Sequence, residues 1–312
     1  DLRMSRGLGD VYKRQLLNIV IVGGGATGIE VAGILSEMKK FVLPNDYPDM
    51  PSSLMHIYLI EAGPRLLAGM SEESSAHAEQ FLREMGVNIL LNKRVVDYRD
   101  HKVVLEDGTE IATRTFIWVS GVTGVTIGNL DASLIGRGGR IKVDSFNRVE
   151  GMNNVFAIGD QCIQVADEDY PNGHPQLAQV AIQQGELLAK NLVRMEKGRE
   201  MKPFHYRNLG SMATVGRNRA VAEFSKVKMQ GWFAWVMWLV VHLRSILGVR
   251  NKVIVLLNWV WNYFTYDQSM RMIVYARKAK EIRDREKVEE TTHWGKELVQ
   301  EEKNPSITSS SK

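Results

Sequence analysis

The chain has 312 residues, 44% of them hydrophobic and 24% charged, with a formal net charge of +4. This is ordinary globular composition, long enough for two domains, and the small charge with no basic recognition motif excludes nucleic acid as the expected partner. A lone cysteine, Cys162, excludes an intramolecular disulfide framework or a Cys-x-x-Cys redox centre, and it fits a reducing compartment.

Residues 1–15 show no apolar periodicity and do not lead into the strand that follows. They read as a non-native leader, and no secretory signal is visible. Residues 16–39 read as a strand followed by a helix. Their junction, Val20-Ile-Val-Gly-Gly-Gly-Ala-Thr-Gly-Ile-Glu30, places Gly23-x-Gly25-x-x-Gly28 between the two. Gly23 permits the tight turn, Gly25 lets a pyrophosphate approach the backbone, and Gly28 lets helix and strand pack closely. Ala26 and Thr27 complete the loop, and the phosphates would meet free N–H groups at the helix start. The alternative is a plain tight turn of another α/β protein. Leu43 to Ser53, with Pro44, Asn45, Asp46, Pro48 and Pro51, reads as an inserted loop. His56–Ile60 is the next strand, and Glu61 ends it. An acid there binds both ribose hydroxyls of NADH and repels the 2′-phosphate of NADPH, unless it is an incidental strand-end acid.

Ser71 to Met85 reads as a helix with Ser71 as N-cap and Glu72 and Glu73 in its first turn. Short strands follow at Val87–Leu91, Val95–Arg99, Lys102–Leu105 and Glu110–Ile111, with a hairpin at Asp107-Gly108. Arg114–Ser120 is a buried strand ending in Gly121. A small antiparallel unit set into a parallel nucleotide-binding sheet accounts for this order. Arg140–Asp144 and Val149–Asn154 precede Val155-Phe-Ala-Ile-Gly-Asp160, an apolar strand ending in Gly-Asp. In flavoproteins such a Gly159 admits the ribityl-phosphate and such an Asp160 accepts from a ribityl hydroxyl; a plain strand–turn is the alternative. A helix is expected from near Gln176. Gln179 and Gln183 share one of its faces, beside the small Ala178 and Ala181. His174 reads as a solvated loop histidine.

Gly231 to Phe264 holds five of the seven tryptophans in two mostly apolar runs, 232–243 and 253–264. Both are shorter than the roughly 20 residues that span a bilayer. On a helix, Asn251, Asn258 and Asn262 share one face, and Val253, Leu256, Val260 and Phe264 fall opposite. With His242, Arg244, Arg250 and Lys252 near the link, the pair suits a helical hairpin lying in a membrane surface containing anionic lipid. A dimer interface is the alternative. Lys278 to Lys312 reads as an exposed helix passing into a disordered tail.

Together with Trp118-Val-Ser-Gly-Val122, Pro175-Gln-Leu-Ala-Gln-Val-Ala-Ile-Gln-Gln-Gly185 and Met212-Ala-Thr-Val-Gly216, these segments resemble the type II NADH dehydrogenases over roughly residues 17–275. These are single-subunit NADH:quinone oxidoreductases of the two-dinucleotide-binding flavoprotein superfamily. The resemblance implies NADH and FAD as cofactors. It implies hydride transfer from NADH to FAD, then electrons to a membrane quinone without proton pumping. Glu30, Gln179 and Gln183 would be the catalytic set. Glu30 would lie near the nicotinamide and flavin rings, unless it only stabilises the helix dipole. Gly121 and Val122 would contact the nicotinamide, and Gly159, Asp160, Ala178 and Gln179 would contact FAD. Gln179, Ile182 and Gln183 would face the quinone. Family members often carry a histidine where Ile182 stands, so no proton donor is expected there. No metal is expected.

The family's first glycine fingerprint, which binds the ADP part of FAD, has no match in this chain. The chain therefore reads as the C-terminal part of such an enzyme, expected to hold FAD poorly or not at all. The expected fold is α/β. A Rossmann-like NADH-binding domain with an antiparallel insertion spans 16–120, and a partial FAD domain spans 121–202. A C-terminal domain with amphipathic helices spans 203–275, and 276–312 is the tail. The expected location is peripheral, on the cytoplasmic face of the plasma membrane. Two other readings stay open: an NADH-dependent flavoprotein reductase of a soluble acceptor that dimerises through its C-terminus, and a nonenzymatic fragment folding around NADH alone.

Overall fold

The computed structural model describes residues 15, 17–46, 48, 52–125, 127–225 and 227–265. The expected leader, apart from Gln15, and the charged tail lie outside the described residues. At the centre is a parallel sheet. β1 (Asn18–Val22) pairs on one side with β2 (His56–Ile60) and on the other with β7 (Thr115–Trp118); β2 pairs in turn with β3 (Val87–Leu90). All five residues of β1 are buried, because a central parallel strand is covered on both faces and needs no polar alternation.

Two different layers provide that cover. On one face, Ile19, Ile21, Ile57 and Leu59 pack against Ile29 and Ala32 of α1 (Ala26–Glu37) and Ala78 and Leu82 of α2 (Glu72–Glu84). On the other, Val20, Val22 and Ile60 meet Val103 and Leu105. Those two belong to the antiparallel unit β4 (Val95–Arg99), β5 (Lys102–Leu105) and β6 (Glu110–Ala112). The insertion read from the Asp-Gly turn therefore forms the second cover of the sheet. Ser71 caps α2 as expected, its hydroxyl accepting from Ser74 N.

Two expectations need correction. The segment after α1 is not all loop, since the chain continues through a π-helical turn at Met38–Val42 and a helical turn at Leu43–Asp46. Pro44 stands just past the π-helical turn in this continuous run, where it cannot donate to the turn before it. Residues 149–160 also do not form two strands. Val149 N donates to Val155 O and Ala157 N to Asn147 O, which closes a short antiparallel turn of isolated bridges. Gly159–Gln161 is a 3₁₀ turn. The regular pairing here is instead parallel, between β8 (Ile141–Val143) and β9 (Cys162–Gln164).

The long helix α3 (Ala178–Glu196) begins two residues beyond the expected start. An antiparallel meander then forms, β10 (Ser211–Thr214), β11 (Ala220–Phe224) and β12 (Val227–Gln230), followed by α4 (Gly231–Ser245) and α5 (Val249–Thr265). Ala213, Val215 and Val221 lie in the same core as Ile29 and Ala32. A Cβ on Gly33 would sit 2.8 Å from Val215 C, so the glycine lets α1 press directly onto the meander.

Candidate dinucleotide site and its neighbours

The glycines of the fingerprint do separate work. Gly23 has φ +116°, and a Cβ there would lie 2.8 Å from Val119 O, at the end of β7. A Cβ on Gly28 would lie 1.8 Å from Gly23 O, so that position must be glycine for helix and strand to pack. Gly25 has open space where a side chain would go. Gly25, Ala26 and Thr27 are exposed, and α1 has neither a side-chain cap nor an acid in its first turn. The first N–H groups of a helix need partners. Here they form an open cradle at its positive end, which fits a pyrophosphate. Glu30 lies beyond the first turn, so dipole compensation is not its role.

Glu61 stands beside this cradle. Gly24 N donates to its Oε2 at 2.6 Å and Gly63 N to its Oε1 at 2.7 Å. The carboxylate thus ties the fingerprint to the loop after β2. Each oxygen keeps acceptor capacity for a ribose hydroxyl. Gly121 (φ +85°) and Val122 are exposed just past β7, directly after Val119 and Ser120, whose backbone meets Gly23.

Glu30 points toward the C-terminal region. Thr214 N donates to its Oε1 at 3.4 Å. Burial pushes its carboxyl above the usual range, while hydrogen bonds from Thr214 and Trp238 and the charge of His242 pull the other way. Sequence reasoning missed these partners because β10 and α4 lie about two hundred residues further along the chain.

The second expected constellation lies at the start of α3, and this helix too has no side-chain cap and no acid in its first turn. Gly159 (φ +64°) lies against it, with a Cβ there 3.2 Å from Ala181 Cβ. Gly159 N donates to the buried Gln184 Oε1 at 2.7 Å. Asp160, Leu177, Ala178 and Ile182 are exposed around this point, Ile182 at 61%. They form one open wall that fits a flat, partly apolar group such as a flavin.

Gln179 and Gln183 behave differently from the expectation. Gln179 donates to Gly210 O at 3.1 Å and accepts from Leu209 N at 3.0 Å. Gln183 donates to Arg207 O at 2.9 Å and accepts from Arg207 N at 3.1 Å. Both amides act as substitute ladder partners for the extended segment leading to β10. His174 is likewise not solvated. It is 2% exposed, its Nε2 is 2.9 Å from Asp167 Oδ2, and Phe204, Tyr170 and Tyr206 surround it. Cys162 is buried, and burial pushes its thiol up, which suits an inert thiol.

The inner face of α4 packs Ala234 and Trp235 on Ala220 and Ala222. Its outer face exposes Phe233 (73%), Met237, Val240 and Val241, at helical spacing. No residue of α5 is buried. Val253, Leu256, Val260 and Phe264 are exposed on it, and so are Ile254, Leu257 and Trp261. Among the described residues, no helix is long and apolar enough to cross a membrane.

A parallel sheet carrying a glycine-built cradle at the carboxyl end of its first strand defines the class: a dinucleotide-binding α/β protein with a Rossmann-like core. Residues 6–185 match the model of the pyridine nucleotide-disulphide oxidoreductases, and residues 208–266 match that of the NDH2 C-terminal domain. The chain belongs to that oxidoreductase family, on its type II NADH dehydrogenase branch. It is 35% identical over 260 residues to the type II NADH:quinone oxidoreductase NdhA of Mycobacterium tuberculosis, covering 79% of this chain and 54% of that protein. It is 32% identical over 275 residues to the internal alternative NAD(P)H-ubiquinone oxidoreductase A1, mitochondrial, of Arabidopsis thaliana, covering 82% and 53%. The solved structure of NDH2 from Plasmodium falciparum in complex with NADH shares the fold, with a TM-score of 0.73 at 19% identity over 81% of this chain and 67% of that one. The chain spans about half the length of the curated relatives it matches.

Proposed function

We propose that this chain carries the NADH site and the acceptor side of an NADH:quinone oxidoreductase held on a membrane surface. One observation supports this above the others. The cradle-bearing helix α1 and the meander under α4 share one core, and α4 turns an apolar stripe outward. A soluble dinucleotide is thereby brought close to a surface suited to lipid.

In this reading the amides of Gly25, Ala26 and Thr27 hold the NADH pyrophosphate, and Glu61 holds the adenosine ribose. Gly121 and Val122 border the nicotinamide. The open wall of Gly159, Asp160, Ala178 and the start of α3 is one side of an FAD site. FAD, when bound, accepts hydride from NADH and passes two electrons to the acceptor. Glu30, half-buried, orients the donor or exchanges a proton. Ala178 and Ile182 offer the quinone ring an apolar face. Gln179 and Gln183 set the shape of that face by holding residues 207–210. The exposed apolar residues of α4 and α5 lie in the membrane surface, on its cytoplasmic side, with Arg244, Arg250 and Lys252 drawing anionic headgroups.

The test supplies FAD and NADH to the protein on vesicles containing a long-chain quinone, and in parallel offers a water-soluble acceptor. NADH oxidation matched one to one by quinone reduction is the expected result. Reduction of the soluble acceptor alone would instead favour a soluble-acceptor reductase using these helices to dimerise. No oxidation of NADH with either acceptor would refute the proposal.

A further inference from the structure

We infer that Trp238 and His242, on the inner face of α4, are positioning residues for Glu30, fixing its carboxylate between the nucleotide-binding helix and the membrane-facing one. The geometry carries the point. Glu30 projects from α1 to the edge of β10, where Thr214 N reaches it at 3.4 Å. The Trp238 indole donates to the same carboxylate. The His242 ring stacks on Trp238 with centroids 3.8 Å apart and planes 23° from parallel. His242 Nδ1 lies 2.8 Å from Trp238 O, so the imidazole is locked onto its own helix and stiffens the indole it covers.

The surrounding charges leave this arrangement to α4. Glu223 on β11 is taken up by Ser71 and Ser74 of α2. Glu37 accepts from Arg217 N, and Arg219 pairs with Glu84. Arg244 sits one turn beyond Trp238's own turn, in the last turn of α4. Of the groups on α4, Trp238 by a hydrogen bond and His242 by its charge favour the ionised Glu30 against the burial that raises it. The opposite face of the same helix is the exposed row of Phe233, Met237, Val240 and Val241. How α4 seats on a lipid surface therefore sets where the Glu30 carboxylate stands. The catalytic meaning of this rests on the proposed NADH:quinone reaction; the contact itself does not.

The experiment follows the indole N–H resonances of the whole chain in micelles by ¹⁵N-edited NMR, between roughly pH 4 and 8. Trp238→Phe assigns the signal. A hydrogen bond to a carboxylate is stronger than one to a carboxylic acid, so the Trp238 signal should titrate in the wild type and lose its Glu30-dependent step in Glu30→Gln. A flat Trp238 signal in the wild type, or an unchanged titration in Glu30→Gln, overturns the inference. A second arm measures NADH oxidation against pH with FAD supplied. Trp238→Phe should move the acid limb to higher pH and leave the KM for NADH unchanged. An equal fractional loss at every pH would mean that α4 only packs there, and would also overturn the inference. Absence of NADH oxidation in the wild type would sink the proposed function alone, since the NMR arm still decides the positioning role.

Discussion

Removing the Glu61 carboxylate should damage both stability and cofactor choice. Its two oxygens accept backbone N–H groups at 2.6 and 2.7 Å, from Gly24 and Gly63, in a half-buried setting. Hydrogen bonds to a charged acceptor contribute about 1.5–3 kcal/mol each, and partial exposure argues for the lower end. Glu61→Ala should therefore cost about 3 kcal/mol, and Glu61→Gln, which keeps one good acceptor, about half of that. At about 1.5–2 °C per kcal/mol for a chain of this size, the alanine variant should melt roughly 5–6 °C lower. NADH binding should weaken by about 1–3 kcal/mol as the ribose contacts go. NADPH, freed from repulsion of its 2′-phosphate, should lose much less. Urea unfolding read by far-UV circular dichroism gives the first quantity, and calorimetric titration with each nucleotide gives the second. Unchanged stability would show that the Gly24 and Gly63 contacts contribute little. An unchanged NADH-to-NADPH ratio would refute the ribose assignment.

Three further outcomes follow from the same geometry. Burial raises the Glu30 carboxyl above its ordinary value of 4.5, so the folded chain binds more protons than the unfolded one and loses stability as pH rises past that value. Glu30→Gln should accordingly melt above the wild type at pH 7 and level with it in acid; a variant less stable at pH 7 would contradict this. For Asp167, burial pushes the carboxyl up, but hydrogen bonds from His174, Tyr206 and Asp169 outweigh it and hold it below its ordinary value of 3.8. Its contribution is present above that value and lost as pH falls through the folded pKa, so Asp167→Asn should cost about 3 kcal/mol at pH 7, with the gap closing in strong acid. Replacing Phe233, Met237 and Val240 with serine should release the protein from anionic vesicles in a co-sedimentation assay and leave its melting temperature nearly unchanged, since all three side chains are exposed.

The parts of this molecule legible in its sequence are those encoded locally. The strand–glycine–helix junction, the Ser71 cap and the Asp107-Gly108 hairpin each depend on residues a few positions apart. What stayed hidden depends on distant partners. His174 looked like an ordinary loop residue because Asp167 and the rings of Phe204 and Tyr206 are brought to it by the fold. Gln179 and Gln183 share a helix face as expected. That the face is turned toward the backbone of residues 207–210 is set by a segment with no regular pattern of its own. Residues 155–160 have strand-like composition, yet only one bridge forms there, because their backbone partner is the short 147–149 turn. Glu30 was singled out by resemblance, but its contact with α4 could not be read from either helix alone.

The central claim is that the uncapped start of α1 binds the pyrophosphate of NADH. Calorimetric titration of NADH into the chain and into Gly25→Val tests it most directly, because the space a valine would fill at Gly25 is open and the fold has no need of glycine there. Saturable NADH binding to the wild type is expected, with loss of at least tenfold in affinity for the variant at an unchanged melting temperature. Equal affinity in the two proteins would place NADH elsewhere and contradict the account.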